Sequence, residues 1–274
     1  MKVFLPMAGT GDRFIHAGYV DPKPLIKVGG KRIIEYVLEA FSEDDEIVFI
    51  CNEQHIQNTN MSTVLKSLRP DAEINTIACH KKGPVYTVLP FIDQLDDNEE
   101  VIICYCDNAF TWDKQRFLRK VRSSKMDGCI ITHSGFHPHT LNNTKMAFLK
   151  TDGDKVLEIK EKECYTEEPM NEHASTGAYY FRKGSFVKEF FPQMIDRDIN
   201  YNGEYYVTLA YNLLIEQGLN VGYYDTEFSL VFGTPEEVKN YEAWLQIMTG
   251  GQVTNPHEAA KCFEYWKKYY DNFC

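Results

Sequence analysis

Apolar residues in the first half of the chain gather in short runs separated by longer stretches of mixed polarity. Residues 2–5 (Lys-Val-Phe-Leu) form one such run, and 46–51, 73–78, 101–106 and 128–133 repeat it. Runs of four to six residues rich in Val, Ile and Phe have the length and composition of strands. Between them, 31–41, 55–68, 85–95 and 113–123 read as helices, and Pro70 ends the second of these. Strands that are almost wholly apolar and alternate with helices predict an α/β fold. The expected architecture is a Rossmann-like, mixed and mostly parallel sheet flanked by helices.

The pattern changes in the second half. Segments 145–151 and 155–160 flank Asp152-Gly153-Asp154 and predict a hairpin with a glycine turn. Residues 174–181 and 219–224 are further strands, with 204–217 a helix between them. This is an antiparallel insertion on an α/β core. After Gly233-Thr234-Pro235, residues 236–248 and 256–270 read as helices rich in Trp and Tyr, separated by Gly250-Gly251. The expected organisation is a domain over 1–235 and a helical extension over 236–274. The extension could pack on the core or form a homodimer contact; the sequence does not choose.

Composition narrows the field. The length of 274 residues suits one large domain with an appendage. A formal net charge of −11 excludes a general basic platform for nucleic acid, so any phosphate must meet a local basic pocket. No run approaches the roughly 20 apolar residues of a membrane span, and residues 1–6 read as a strand rather than a leader segment. Eight cysteines follow no framework spacing. Reduced, structural thiols in a cytoplasmic protein without membrane partners are expected.

In a doubly covered sheet, ligands bind at the carboxyl ends of the strands, so chemistry belongs in the loops after Leu5 and Cys106. After the first strand, Ala8-Gly9-Thr10-Gly11 lets backbone N–H groups turn inward around phosphate oxygens. Arg13 follows, placed for a bidentate phosphate clamp. No Walker lysine and no G-x-G-x-x-G accompany the loop, so neither a P-loop nor a dinucleotide fold is indicated. Ten residues on, Pro22 and Pro24 stiffen the chain around Lys23. Asp107, beyond the apolar run 101–106, is placed for a hard cation with oxygen ligands.

The loop Gly9-x-Gly11-x-Arg13, the Pro22-Lys23-Pro24-Leu25 segment and Val28-Gly29-Gly30-Lys31-Arg32 together resemble the sugar-phosphate nucleotidyltransferase family, the pyrophosphorylases that make nucleotide sugars and related cytidylyl conjugates. The match is specific over residues 3–34 and continues as weaker, correctly ordered motifs to about residue 240. The resemblance implies an enzyme that joins an NTP to a phosphorylated small molecule and releases pyrophosphate. It assigns Arg13 and Lys23 to the NTP phosphates and Asp107 to Mg²⁺. Ala8 to Gly11, with Gly83 and Pro84 beside the nucleobase, would bind the nucleotide. Lys162 would meet the acceptor phosphate, with Thr176, Gly177 and Glu204 lining the acceptor. Among the family's branches, the Pro6-Met7-Ala8-Gly9 start looks most like capsule-locus enzymes. That likeness implies CTP as donor and an acceptor such as a sugar phosphate or phosphoglutamine.

One departure stands out. The family's second metal-binding aspartate precedes a Gly-Thr, but here Ser229-Leu230-Val231-Phe232 leads to Gly233-Thr234 without an acid. Asp225 is the nearest upstream carboxylate and a candidate substitute. Competing readings are a glycosyltransferase of related architecture, which would usually carry Asp-x-Asp where this chain has Cys106-Asp107-Asn108, and a catalytically silent regulatory subunit. His133, His137 and His139 are expected in a polar loop rather than at a metal.

Overall fold

A computed structural model of the chain describes residues 1–135, 137, 139, 145–226 and 228–248. The chain opens with β1 (Lys2–Met7), then a glycine loop and the short helix α1 (Asp12–His16). A small ribbon of β2 (Lys27–Val28) and β3 (Lys31–Arg32) leads to α2 (Ile33–Leu38). β4 (Glu46–Asn52), α3 (Glu53–Asn58), α4 (Met61–Leu68), β5 (Glu73–Ile77) and α5 (Gly83–Val88) follow. β6 (Val101–Cys104) is fully buried; β7 (Asn108–Thr111), α6 (Lys114–Ser123) and β8 (Gly128–His133) come next. The second half contributes β9 (Ala147–Asp152), β10 (Lys155–Glu161), β11 (His173–Phe181), α7 (Gly184–Asp196) and α8 (Val207–Glu216). It closes with β12 (Val221–Asp225), β13 (Phe228–Val231) and α9 (Pro235–Met248).

Nine strands form a mixed sheet in the order β5-β4-β1-β6-β11-β8-β12-β10-β9. β5, β4, β1 and β6 run parallel, as their helical connections require. β11 enters antiparallel between β6 and β8, and the β9–β10 hairpin extends the far edge. Alternate side chains of each central strand serve opposite cores. Val3, Leu5, Phe49 and Ile102 pack on one face, and Phe4, Val48, Ile103 and Tyr179 on the other. An α/β fold with a mixed sheet is therefore correct, and burial on both faces explains why its strands are apolar at successive positions.

The boundaries depart from the expectation where local polar chemistry competes with the helix. The segment 55–68 divides because Thr59 is extended; its hydroxyl bonds the His55 carbonyl at 2.6 Å and accepts from Met61 N–H at 3.2 Å. The helix expected from 204 starts at Val207. Asn202 and Gly203, both with positive φ, turn the chain so that Tyr201 and Glu204 exchange backbone hydrogen bonds at 2.9 and 3.1 Å. α7, with Pro192 inside it, was not expected at all. The expected helix over 256–270 and Gly250-Gly251 lie outside the described residues.

A second ribbon decides the shape of the site. β7 pairs antiparallel with β13, Asn108 opposite Val231, across more than a hundred residues of chain. A third apolar cluster of Phe14, Ile26, Val28, Ile33, Phe232 and Val238 then ties α1, the β2–β3 ribbon and α9 together. Tyr36 stacks against both Phe232 and Tyr241 in this cluster. No helix among the described residues is long and apolar enough to cross a membrane. The described cysteines are free; Cys51, Cys104, Cys106 and Cys129 are buried, and burial pushes the Cys51 and Cys106 thiols up to about 12.

Candidate active site

The glycine loop leaves β1 at its carboxyl end, where Ala8 is buried. Gly11 takes a left-handed φ of 72° at the start of α1 and accepts from Phe14 N–H at 2.8 Å. Thr10 hydrogen-bonds Asp12, whose carboxylate also meets the Lys81 ammonium at 2.5 Å. The hydrogen bond from Lys81 holds the Asp12 carboxyl below the usual carboxylate range. This contact joins the glycine loop to the loop carrying Gly83 and Pro84. Arg13 projects from the exposed side of α1, within electrostatic reach of both Lys23 and Tyr206.

Lys23 opens a single 3₁₀ turn, Lys23–Leu25, closed by Leu25 N–H on the Pro22 carbonyl at 2.8 Å. Pro24 and Leu25 are buried, so the turn is anchored from below and the lysine is aimed by it. Gly11 lies beside it: a Cβ there would stand 3.8 Å from Lys23 Cβ. Lys23 Nζ donates to Asp107 Oδ2 at 2.6 Å. Burial works against the lysine's charge, but Asp107, with Cys106 beside it, offsets that and the ammonium is raised above the ordinary lysine range.

Asp107 follows β6, and its carbonyl accepts from Phe232 N–H at 2.7 Å. The β7–β13 ribbon therefore begins at this aspartate. Gly177 lies against the next residue: a Cβ on it would meet Asn108 Nδ2 at 2.6 Å, and its carbonyl accepts from Tyr105 N–H at 2.8 Å. Gly177 sits in the bulge of β11 between Ser175 and Ala178, at a φ of 78° that suits glycine. Thr176, expected beside the acceptor, is fully buried and spends its hydroxyl on the Ile131 carbonyl at 2.9 Å. It shapes the bulge, and Gly177 is the residue of that pair that packs against Tyr105 and Asn108.

Gly83 starts α5 with a φ of 85°, and a Cβ there would come within 2.7 Å of Tyr205 N and 2.8 Å of Tyr205 O. Val85 N–H donates to the Tyr205 carbonyl at 3.1 Å, and Tyr205 N–H to the Lys82 carbonyl at 2.9 Å. The loop expected at the base is thus seamed to the segment carrying Glu204. Beside it is an apolar cavity of about 490 Å³ lined by Ile77, Cys79, His80, Tyr86 and Leu89 among others.

On the acceptor side the structure gathers residues that sequence spacing does not relate. Lys162 Nζ donates to Tyr206 Oη and lies 4.2 Å from that ring and 5.2 Å from the Tyr201 ring. Tyr206 Oη in turn donates to Glu204 Oε2 at 2.7 Å. Glu161, next to Lys162, is buried and accepts from Thr208 Oγ1 at 2.5 Å. Desolvation pushes its carboxyl up to about 7, against the pull of Thr208 and Lys162. Tyr105 completes the wall, its hydroxyl accepting from Val207 N–H at 3.1 Å. Glu161, Tyr105 and Tyr206 were not among the expected site residues. The available signal was for Glu161, which forms with Lys162 a pair resembling the family's Glu-Lys motif.

Two further expectations are corrected. Asp225 ends β12 and is held by Thr132 Oγ1 at 2.7 Å and His173 Nδ1 at 3.0 Å. β12 lies three strands from β6, roughly 14 Å at about 4.8 Å per strand, so Asp225 does not substitute beside Asp107. The histidines are not in a solvated loop: His133, His137 and His139 are all buried, their ring centroids 4.4 to 5.6 Å apart. Neutral imidazoles tolerate that burial, and desolvation holds all three below the ordinary histidine range. Among the described residues no group of three or more His, Cys, Asp or Glu is arranged to hold a metal.

Comparison with known proteins agrees with this fold. The chain is 22% identical over 228 residues to the bifunctional protein GlmU of Azorhizobium caulinodans, covering 81% of this chain and 48% of that one. It is 22% identical over 263 residues to GlmU of Alkaliphilus metalliredigens, covering 94% and 51%. The chain therefore spans about half the length of these relatives. Its fold matches a nucleoside-diphosphate-sugar pyrophosphorylase of Vibrio cholerae RC9 with a TM-score of 0.71 at 22% identity, covering 88% of this chain and 99% of that one. A putative glucose-1-phosphate thymidylyltransferase of Bacillus anthracis matches with a TM-score of 0.65 at 18% identity, covering 94% and 98%. Residues 4–162, more than half of the chain and all of its glycine loop, Lys23 turn and Asp107 strand, match the MobA-like NTP transferase domain, and to that family the chain belongs.

Proposed function

We propose that the chain transfers a nucleoside monophosphate from an NTP to a phosphorylated small-molecule acceptor and releases pyrophosphate. An acceptor phosphate oxygen attacks the α-phosphorus; an O–P bond forms there, and the bond to the β-phosphate oxygen breaks in line. The attacking phosphate is already ionised near neutral pH, so no general base is needed. The protein's part is positioning and charge neutralisation.

The observation that carries this reading is the Lys23–Asp107 pair standing beside the glycine loop. The Gly9–Gly11 amides and Arg13 hold the leaving β- and γ-phosphates, and Lys23 leans on the α-phosphate. Gly83 and Pro84 border the nucleobase. Lys162 holds the acceptor phosphate, with Gly177, Glu161 and Glu204 around the rest of the acceptor. Asp107 suits Mg²⁺: it offers a hard carboxylate oxygen, and a protein cation already stands at 2.6 Å from it. The metal, when bound, supplies charge neutralisation at the α-phosphate.

Cytidine preference and an amine-bearing acceptor are the finer reading, in the synthesis of surface-polysaccharide precursors. The Pro6-Met7-Ala8-Gly9 start supports the first, and two carboxyl groups beside Lys162 support the second. Pyrophosphate release measured for ATP, CTP, GTP and UTP, each against sugar phosphates and phosphorylated amino-acid derivatives, tests both. Release with no NTP and acceptor combination would reject the nucleotidyltransferase reading. Release with UTP and sugar phosphates but not CTP would reject the finer one.

A further inference from the structure

Asp107 supplies one carboxylate to the proposed cation, and the strand leading to Gly233 supplies none. A second carboxylate nevertheless comes to the same place from the far side of that glycine. α9 begins at Pro235, and Glu237 lies in its first turn with only 6% of its surface exposed. Acidic residues in a first turn complement the helix dipole, and the exposed Glu236 does so in water. That explanation does not require Glu237 to face inward.

The geometry around Gly233 is specific. A Cβ built there would stand 3.2 Å from Glu237 Oε2 and 3.4 Å from Asp107 Oδ2. Together these distances put the two oxygens no more than 6.6 Å apart, with the space of one absent methyl beside them. Lys23 Nζ, at 2.6 Å, sits on that same Asp107 oxygen, so a cation is already accommodated at the position. Glu237 is fixed from its backbone, its N–H bonding Thr234 Oγ1 at 3.2 Å.

We propose that Glu237 is the second acidic ligand of the divalent cation held by Asp107, delivered by the first turn of α9 across Gly233. Mg²⁺ keeps oxygen ligands at about 2.1 Å and retains several waters. One carboxylate bound directly and the other through a metal-bound water, at about 2.7 Å further, spans the separation. α9 thereby takes over the task for which the strand before Gly233 has no acid. This inference rests on Asp107 being the metal residue.

Mn²⁺ alone is the probe, titrated against the purified full chain, with free ion counted by electron paramagnetic resonance. Asp107→Asn and Glu237→Gln should each weaken Mn²⁺ binding by roughly 10- to 100-fold. Gly233→Ala should weaken it comparably with both carboxylates intact, because the new methyl group, 3.2 Å from Glu237 Oε2 and 3.4 Å from Asp107 Oδ2, crowds a cation beside both. Circular dichroism and melting identify any variant that fails to fold; should Glu237→Gln do so, Gly233→Ala decides. Weakening by Asp107→Asn alone, with Glu237→Gln and Gly233→Ala binding as the parent does, overturns the role of Glu237 and leaves Asp107 standing. Unchanged binding in Asp107→Asn overturns both.

Discussion

Lys23 Nζ lies 2.6 Å from Asp107 Oδ2, although 84 positions separate the two residues in the chain. The contact places the Pro-bracketed lysine and the strand-end aspartate at one point of the crevice, next to Gly11. If Lys23 leans on the α-phosphate, Lys23→Ala removes one electrostatic stabiliser of the transition state. Turnover should fall by on the order of 10²- to 10³-fold. Steady-state pyrophosphate release, beside an unchanged circular dichroism spectrum, checks this. A folded variant with near-normal turnover would remove Lys23 from the mechanism.

Lys162, Tyr206 and Glu204 form a continuous hydrogen-bonded chain on the acceptor side. Lys162→Ala should raise the acceptor KM, since a charge-assisted hydrogen bond is worth about 1.5–3 kcal/mol, or roughly 10- to 150-fold. NTP KM should stay within about twofold. Arg13→Ala should do the reverse and weaken NTP use with any acceptor. Glu204→Gln keeps hydrogen-bonding shape and loses charge, so amine-bearing acceptors should suffer more than sugar phosphates. Equal losses for both acceptor classes would show that Glu204 reads neither charge.

Glu161 gives a pH signature. Its carboxyl is raised to about 7 in the folded chain, with burial the principal cause. The unfolded chain loses that proton near the ordinary glutamate value, about 4.3, while the folded chain keeps it up to about 7. Between those values the native state binds more protons, so stability falls as pH rises and the full penalty is present above about 7. Glu161→Gln removes the penalty. Its stability should match the parent's near pH 4 and exceed it at pH 8 by on the order of 3 kcal/mol, so its melting temperature should rise above the parent's only at the higher pH. Melting curves at the two pH values decide it; a difference that does not widen with pH means the carboxyl is not held protonated.

Gly83 is the position where one methyl group should matter most. Its φ of 85° disfavours side chains, and a Cβ would press on the Tyr205 backbone at 2.7 Å. Left-handed backbone alone costs about 1–3 kcal/mol, and the backbone contact cannot be relieved by a rotamer change. Gly83→Ala should lower the melting temperature and raise both the NTP and the acceptor KM, because the seam at Tyr205 joins the two sides. Nucleotide and acceptor constants measured separately test that coupling. An effect confined to the NTP would show that the seam transmits nothing.

The chain's local chemistry was legible from its residues. Apolar runs of strand length located β1, β4, β6 and β8, and the Gly9–Gly11 loop, the proline-bracketed Lys23 and Asp107 stood out from residue types read together with the family resemblance. Such features are local: side-chain periodicity, glycine's left-handed backbone and proline's restricted φ act over a few residues. The helix expected from 204 instead begins at Val207, because the Asn202-Gly203 turn continues through the Tyr201–Glu204 bridge. Which local features meet was decided by the tertiary structure. Lys23 against Asp107, Lys162 against Tyr206, the β7–β13 ribbon and Asp107 beside Gly233 depend on strand order. β11 inserts between β6 and β8 and carries the bulge that brings Gly177 to Asn108, while Asp225 is carried three strands away to His173. These pairings close loops of 44 to more than a hundred residues by burying apolar surface elsewhere in the sheet, so no spacing rule records them at the residues that touch.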